Sequence, residues 1–328
     1  MSAVMRFGAQ TVQQNVSWAE LVDFWRFLED ETRLESLWAM DHLVVPIDDE
    51  LPEVACFESW TLLAAAAQAT RRLRVGCLVT ANTFRHPALL AKMAATVDHI
   101  SGGRLVLALG AGWHAAEHRA FGIPLHSTRE RLERLEEAAA LLRGVLVAEK
   151  PVSFHGRYYR LEEAPFLPRF VSRPHPPLVI GGGGERRTLR TAARHADGVN
   201  LLGPVSVVRH KLAVLAEHCE REGRDYDAIS KSVHVPVVTH PDADAILRVR
   251  GFVKSHFALS DAQIEEEIPV GSPAHVREVA ARYAELGVGE IVFPAPGPWD
   301  REIFRYLDET VIRPLAPNGH EGPSQNCV

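Results

Sequence analysis

The 328-residue sequence has little cysteine, little lysine, no long apolar run and no excess of positive charge. Its four cysteines, Cys56, Cys77, Cys219 and Cys327, stand far apart with no Cys-x-x-Cys pair. That spacing speaks against a disulfide framework or a cysteine zinc site and suits a reducing compartment. No apolar stretch reaches the about 18 residues of a membrane span, and no charged-then-apolar leader opens the chain, so a cytoplasmic protein is expected. The formal net charge is −6 and the pI about 6.2. Nucleic acid and anionic membrane surfaces both call for a basic excess, so neither is an expected partner, and a small molecule is. Lysine occurs only at 92, 150, 211, 231 and 254, which leaves 31 arginines among 36 basic residues (36 − 5), a bias typical of GC-rich coding.

What is present is alternation. Strand-like runs at Met5–Gln10, Leu37–Met40, Leu73–Leu78, Leu105–Leu109, Leu178–Ile180, Gly198–Leu201, Val233–Val238 and Glu290–Phe293 are separated by segments with helical periodicity. Ser127 with Glu130 reads as a capping box ahead of Leu132, Leu135, Leu142 and Leu146. Pro87 and the Ser-Gly-Gly at 101–103 read as a helix start and stop. Eight βα units without a linker between halves predict a single α/β domain over 1–315, a (β/α)8 barrel. Two stretches interrupt the rhythm, about 149–177, whose alternation around His155-Gly156 predicts a β-hairpin, and about 251–271. Insertions on the C-terminal face of a barrel shape its pocket. The tail at 316–328 is expected to be disordered.

The sharpest local signal is the run Gly181, Gly182, Gly183 and Gly184, after a strand and before a segment read as a helix over Glu185–His195. Bare main-chain N–H groups at a helix start attract an anion, and Arg186 and Arg187 would add charge, so the run predicts a phosphate site. The alternative is a tight loop that needs positive φ. No Gly-Lys-Ser/Thr follows, so it is not a Walker loop.

Gly110, Ala111 and Gly112 with Ala115 match a dinucleotide fingerprint, yet no acidic residue closes a second strand at the required distance. Both glycines are better read as a bend that lets a flat ligand pass over the backbone. His114, Glu117 and His118 spell a zinc-protease motif, but the stretch is a short connection without an identifiable third ligand. No metal is therefore expected, and His114 and His118 read as surface or pocket residues. Asp41 and His42 follow the second strand, where a histidine can exchange a proton or simply sit satisfied at the surface. Asn82, after the third strand, could bond a heterocycle or hold its loop.

Together these stretches, "SLWAMDHL", "RVGCLVTANTFRHPALLAKMAATVDHISGGRLVLALGAGWHAAEHRAFGIP", "RERLERLEEAAALLRG", "GRYYRLEEAP" and "PPLVIGGGGERRTLRTAARHADGVN", resemble the bacterial luciferase-like superfamily, in its F420-dependent oxidoreductase branch. The resemblance runs over about residues 5–310 and implies a barrel, commonly a homodimer, that holds coenzyme F420 or FMN at its C-terminal face. It implies a cis peptide between Leu78 and Val79 beneath the ring, and a phosphate on Gly181–Gly184. It also implies a ring and ribityl lining of Asp41, His42, Asn82, Gly110, Ala111, Gly112 and Asn200, with His42, beside Asp41, as the catalytic proton carrier.

Two departures bear on the reaction. The tryptophan that follows the Asp-His pair in the alcohol and sugar-phosphate dehydrogenases of this branch is absent near Val45 and Pro46, and Trp113 stands where they carry glutamate. Alcohol oxidation needs a matched acid and base. The resemblance therefore implies reduction of a C=C or C=N bond by reduced F420, with His42 supplying the proton and Trp113 either stacking on substrate or packing its loop. An FMN-dependent monooxygenase using O2 is the alternative, and a non-catalytic flavin-binding barrel a third.

Overall fold

The strands form where short apolar runs are long enough to be buried on both faces, the signature of parallel strands covered by helices. Leu105–Gly110 is buried at every position. In the computed structural model, described for residues 5–45, 51–257 and 259–316, the chain order is β1 (Arg6–Thr11), α1 (Trp18–Glu31), β2 (Ser36–Ala39), α2 (Ser59–Ala69), β3 (Arg74–Cys77), β4 (Thr80–Ala81), α3 (Pro87–Ser101), β5 (Leu105–Gly110), α4 (Ala115–Ala120) and α5 (Thr128–Leu146). There follow β6 (Val152–His155), β7 (Arg160–Ala164), β8 (Leu178–Gly181), α6 (Thr188–His195), β9 (Gly198–Leu202), α7 (Val205–Glu222), β10 (Ser230–His234), α8 (Ala243–Phe257), α9 (Asp261–Glu267), α10 (Pro273–Glu285), β11 (Glu290–Ala295) and α11 (Arg301–Leu307).

Parallel pairing runs β3-β2-β1-β11-β10-β9-β8-β5-β4, and β3 also pairs with β5. The ring is thereby closed into a (β/α)8 barrel in which β3 and β4 are one strand broken at Leu78-Val79. The chain's first and last strands meet in a six-residue register from Arg6 opposite Glu290 to Thr11 opposite Ala295. Trp38, Val106, Ala108, Val179 and Val292 plug the lumen, and a larger apolar layer lies between the strands and the surrounding helices. Local chemistry fixes the helix ends: Pro87 sits in the first turn of α3 and Gly102 ends it at φ +63°. The Ser127 hydroxyl accepts from the Glu130 N–H at the start of α5.

Two element boundaries differ from the sequence expectation. β10 spans Ser230–His234 rather than 233–238, because Pro236 has no N–H for the ladder although the apolar pattern continues past it. α6 starts at Thr188, and 185–187 form turns, so Arg186 and Arg187 precede the helix. The expected hairpin is β6 paired antiparallel with β7. It packs on α5, where the Glu137 carboxylate accepts the N–H groups of Arg157 (3.0 Å), Tyr158 (2.9 Å) and Tyr159 (2.6 Å). Helices α8 and α9 occupy most of the second interruption. Among the described residues no helix is long and apolar enough to cross a membrane. The tail expected to be disordered lies, from 317 on, outside the described residues.

Candidate active site

A cavity of about 620 Å³ opens at the C-terminal ends of the strands, a size that suits an organic ligand. One wall is the break between β3 and β4. The Leu78-Val79 peptide is cis, and the Leu78 carbonyl accepts a hydrogen bond from Gln10 Nε2 at 2.6 Å. This ledge also explains two of the glycines. A Cβ on Gly110 would stand 2.5 Å from Val79 Cγ2, and one on Gly181 would stand 2.4 Å from Val79 Cγ1. Likewise the space beside Gly112, at φ +74°, is taken by Thr83. Neighbouring side chains thus leave no room for a Cβ at Gly110 or Gly112, a reason for glycine at both positions that holds without a ligand. Both still line the cavity with Ala111.

The far wall comes from β8, β9 and β10. Gly181, Gly182 and Thr188 line it, with Asn200, Leu202 and His234. Gly182, at φ +118°, donates its N–H to the Asn200 carbonyl at 3.0 Å. The N–H groups of Gly183 and Gly184 meet no acceptor among the described residues. These two glycines are outside the cavity lining, so the run is a rim ahead of the turn that leads into α6 rather than a pocket floor. Of the two arginines expected to add charge there, Arg187 pairs with Glu133 at 3.4 Å. Lys211 stands behind Gly183 and binds Glu185 at 2.5 Å. His234 Nε2 is buried on the cavity side without a partner among the described residues. Burial alone lowers the pKa of that imidazole to about 4, so it is neutral at physiological pH.

Asp41 and His42 follow β2, but their side chains do different work. Asp41 is buried, and its carboxylate accepts Ser59 Oγ (2.5 Å), the Ala81 N–H (2.8 Å) and both Arg85 terminal nitrogens (2.6 and 3.0 Å). His42 faces the cavity, its Nδ1 3.1 Å from Glu117 Oε2, and its ring meets Trp113 edge to face at 5.8 Å. Trp113 is 58% exposed at the rim. Asn82 sits behind the wall: its Nδ2 donates to the Tyr159 hydroxyl of the hairpin at 3.1 Å, and its buried Oδ1 has no partner among the described residues.

The stretch that spells a zinc-protease motif is rearranged by the fold. His114 and His118 are both buried beside the cavity, not at the surface. His118 is committed, Nδ1 to the His114 carbonyl at 2.7 Å and Nε2 to Thr83 Oγ1 at 2.8 Å, so both of its ring nitrogens are engaged. Glu117 instead gathers His42 and His114, with all three potential donor atoms within 4.8 Å of one another. Sequence reasoning missed Gln10, His234 and the engagement of Glu117 with His42, each a lone polar residue whose partner is distant in the chain.

A (β/α)8 barrel whose strand tips enclose an organic-ligand cavity, with a cis ledge on one side, a glycine rim on the other and a histidine between them, defines a class of cofactor-binding barrel enzymes. The sequence profile of the luciferase-like monooxygenases matches residues 1–257, and the chain belongs to that family. It is similar to an F420-dependent glucose-6-phosphate dehydrogenase of Microbacterium testaceum, 28% identical over 95% of this chain and 98% of that one. It is also similar to an FMNH2-dependent dimethylsulfone monooxygenase of Pseudomonas putida, 36% identical over 43% of this chain and 38% of the other. An F420-dependent secondary alcohol dehydrogenase solved with an F420-acetone adduct has the same fold, with a TM-score of 0.78 at 21% identity over 95% of this chain and 99% of that one.

Proposed function

We propose that the protein is a coenzyme F420-dependent oxidoreductase that reduces a polarised C=C or C=N bond of an uncharged organic substrate, with His42 delivering the proton. The position of His42, on the cavity wall near the Leu78-Val79 ledge, carries this reading. The residues present fit the cofactor. Gly183 and Gly184 offer main-chain N–H groups, and Thr188 a hydroxyl at a helix start, for its phosphate. Leu78 and Val79 offer an apolar support for a flat ring, and the unpartnered Nε2 of His234, with Asn200 and Gln10, offers polar partners for a heterocycle edge. When bound, F420 supplies and accepts a hydride.

The chain's own residues would then have three tasks: supporting the ring at Leu78 and Val79, covering it with the apolar side chains of Met40 and Phe84, and holding a proton at His42. No lysine or arginine lines the cavity among the described residues. A phosphorylated sugar would find no cationic partner here, which favours a neutral substrate over that of the glucose-6-phosphate dehydrogenases.

The test is an anaerobic panel: reduced F420 with cyclohex-2-en-1-one, and oxidised F420 with propan-2-ol or glucose 6-phosphate, read by F420 fluorescence. Turnover of the enone, absence of turnover with the sugar phosphate, and a fall of about 10²-fold or more in His42→Ala are expected. An unchanged rate in His42→Ala removes it from the mechanism. The partial similarity to the dimethylsulfone monooxygenase keeps an FMN-dependent monooxygenase as the second reading. Oxygen consumption with reduced FMN and no fluorescence response to F420 would establish that reading instead.

A further inference from the structure

We propose that Glu117 is a positioning residue that locks the hydrogen of His42 onto Nδ1, so that Nε2 alone exchanges a proton with a ligand in the cavity; the catalytic consequence rests on the function proposed above, while the tautomer does not. Glu117 has no solvent exposure, and its two carboxylate oxygens are divided between tasks. Oε1 accepts the backbone N–H groups of Leu43 and, at 3.2 Å, Val44. Oε2 stands 3.1 Å from His42 Nδ1 and 3.7 Å from His114 Nδ1. Burial raises the pKa of this carboxyl, but the hydrogen bond from His42 and those from the Leu43 and Val44 N–H groups outweigh it and leave the pKa below the usual value.

An ionised carboxylate can only accept, so the short contact at Oε2 places a hydrogen on His42 Nδ1 in both the neutral ring and the imidazolium. Nε2 is then a lone pair in the first and an N–H in the second, which is what a reversible proton carrier needs. The same carboxylate ties the chain after β2 to α4, so the ring is held in place as well as in tautomer. Trp113, edge to face on His42 at 5.8 Å and 80°, braces another side.

The substitution Glu117→Gln separates the two tasks. The amide carbonyl is claimed by the Leu43 and Val44 N–H groups, because an amide nitrogen there would face two donors. Its NH2 is then turned towards His42 Nδ1. A neutral ring must answer by accepting at Nδ1 and carrying its hydrogen on Nε2, and the imidazolium meets donor against donor. The side chain has nearly the same shape, yet the proton carrier is disabled.

Selective 15N-histidine labelling and long-range 1H–15N spectra report the tautomer in the wild-type protein without any substrate, with His42 assigned by the signal lost in His42→Asn. A protonated Nδ1 is expected in the wild type and a protonated Nε2 in Glu117→Gln. With reduced F420 and cyclohex-2-en-1-one, Glu117→Gln should lower kcat about 10²- to 10⁴-fold, with F420 affinity by fluorescence within about threefold. In a His42→Ala background the same change should cost less than about threefold more, because a residue that acts through another has nothing left to act on. A bare Nδ1 on wild-type His42, an unaltered kcat in Glu117→Gln, or fully additive losses in the double variant would each overturn the assignment. Absence of turnover with every cofactor would sink the proposed function instead, and the wild-type spectrum would still decide the tautomer.

Discussion

Replacing Asp41 by asparagine tests whether this residue contributes chemistry or architecture. All four partners of its carboxylate are donors: Ser59 Oγ and Arg85 Nη2 at Oδ1, and the Ala81 N–H and Arg85 Nη1 at Oδ2. An asparagine must turn its NH2 towards one of these donor pairs, whichever way the amide is flipped. The Arg85 side chain is only 10% exposed and would keep, beyond one neutral amide oxygen, only Glu58 at 3.3 Å as an anionic partner, itself 39% exposed. Removing one partner of a buried ion pair costs about 3–5 kcal/mol. Against a typical stability of about 5–15 kcal/mol, that is a large share. Reversible urea unfolding followed by circular dichroism should show the loss, and Arg85→Met in the same chain should recover part of it by removing the stranded charge. A loss below about 1 kcal/mol, or no recovery in the double variant, would refute the anchoring role and return Asp41 to the chemistry.

Three further outcomes are expected. Gly181→Ala would set a Cβ 2.4 Å from Val79 Cγ1, which should cost about 1–3 kcal/mol by overpacking and weaken F420 binding. Gly183→Ala would meet only the flexible Lys211 chain at 3.4 Å; equal effects in a fluorescence titration would count against the ledge. His234 has its pKa lowered to about 4 by burial, so the unfolded chain binds the extra proton as pH falls from about 6.5 to 4. Melting temperature should drop over that window by more in the wild type than in His234→Asn; parallel curves would contradict it. Glu137→Ala removes the acceptor of three hairpin N–H groups. Trypsin should then cut faster at Arg157 or Arg160, and an unchanged digestion rate would show that the hairpin is held elsewhere.

The strands were legible in the sequence because parallel barrel strands are buried on both faces and leave short, unbroken apolar runs such as Leu105–Leu109. The end of β10 was not, because Val235, Val237 and Val238 continue the apolar signal past Pro236, which stops the ladder. The glycine run was visible, but one structural reason for it was not: Gly181 accommodates Val79, about a hundred positions earlier in the chain. Glu117 shows the same limit. Its neighbours His114 and His118 completed a familiar local pattern, while its engagement with His42 joins positions 75 residues apart. Periodicity reports which face of an element is buried, and only the closed ring decides which polar tips converge.

The six-residue pairing of β1 with β11 also sets the order of events at the ribosome. Of the ring's strands Arg6–Thr11 is made earliest, yet one of its two ladder partners, Glu290–Ala295, emerges only after the other strands of the ring have been made. Throughout translation the nascent sheet therefore carries an unpaired edge, the kind of surface that recruits a neighbouring chain or a chaperone. Ring closure is a late and non-local step, and the mouth that would receive a cofactor takes shape only with it.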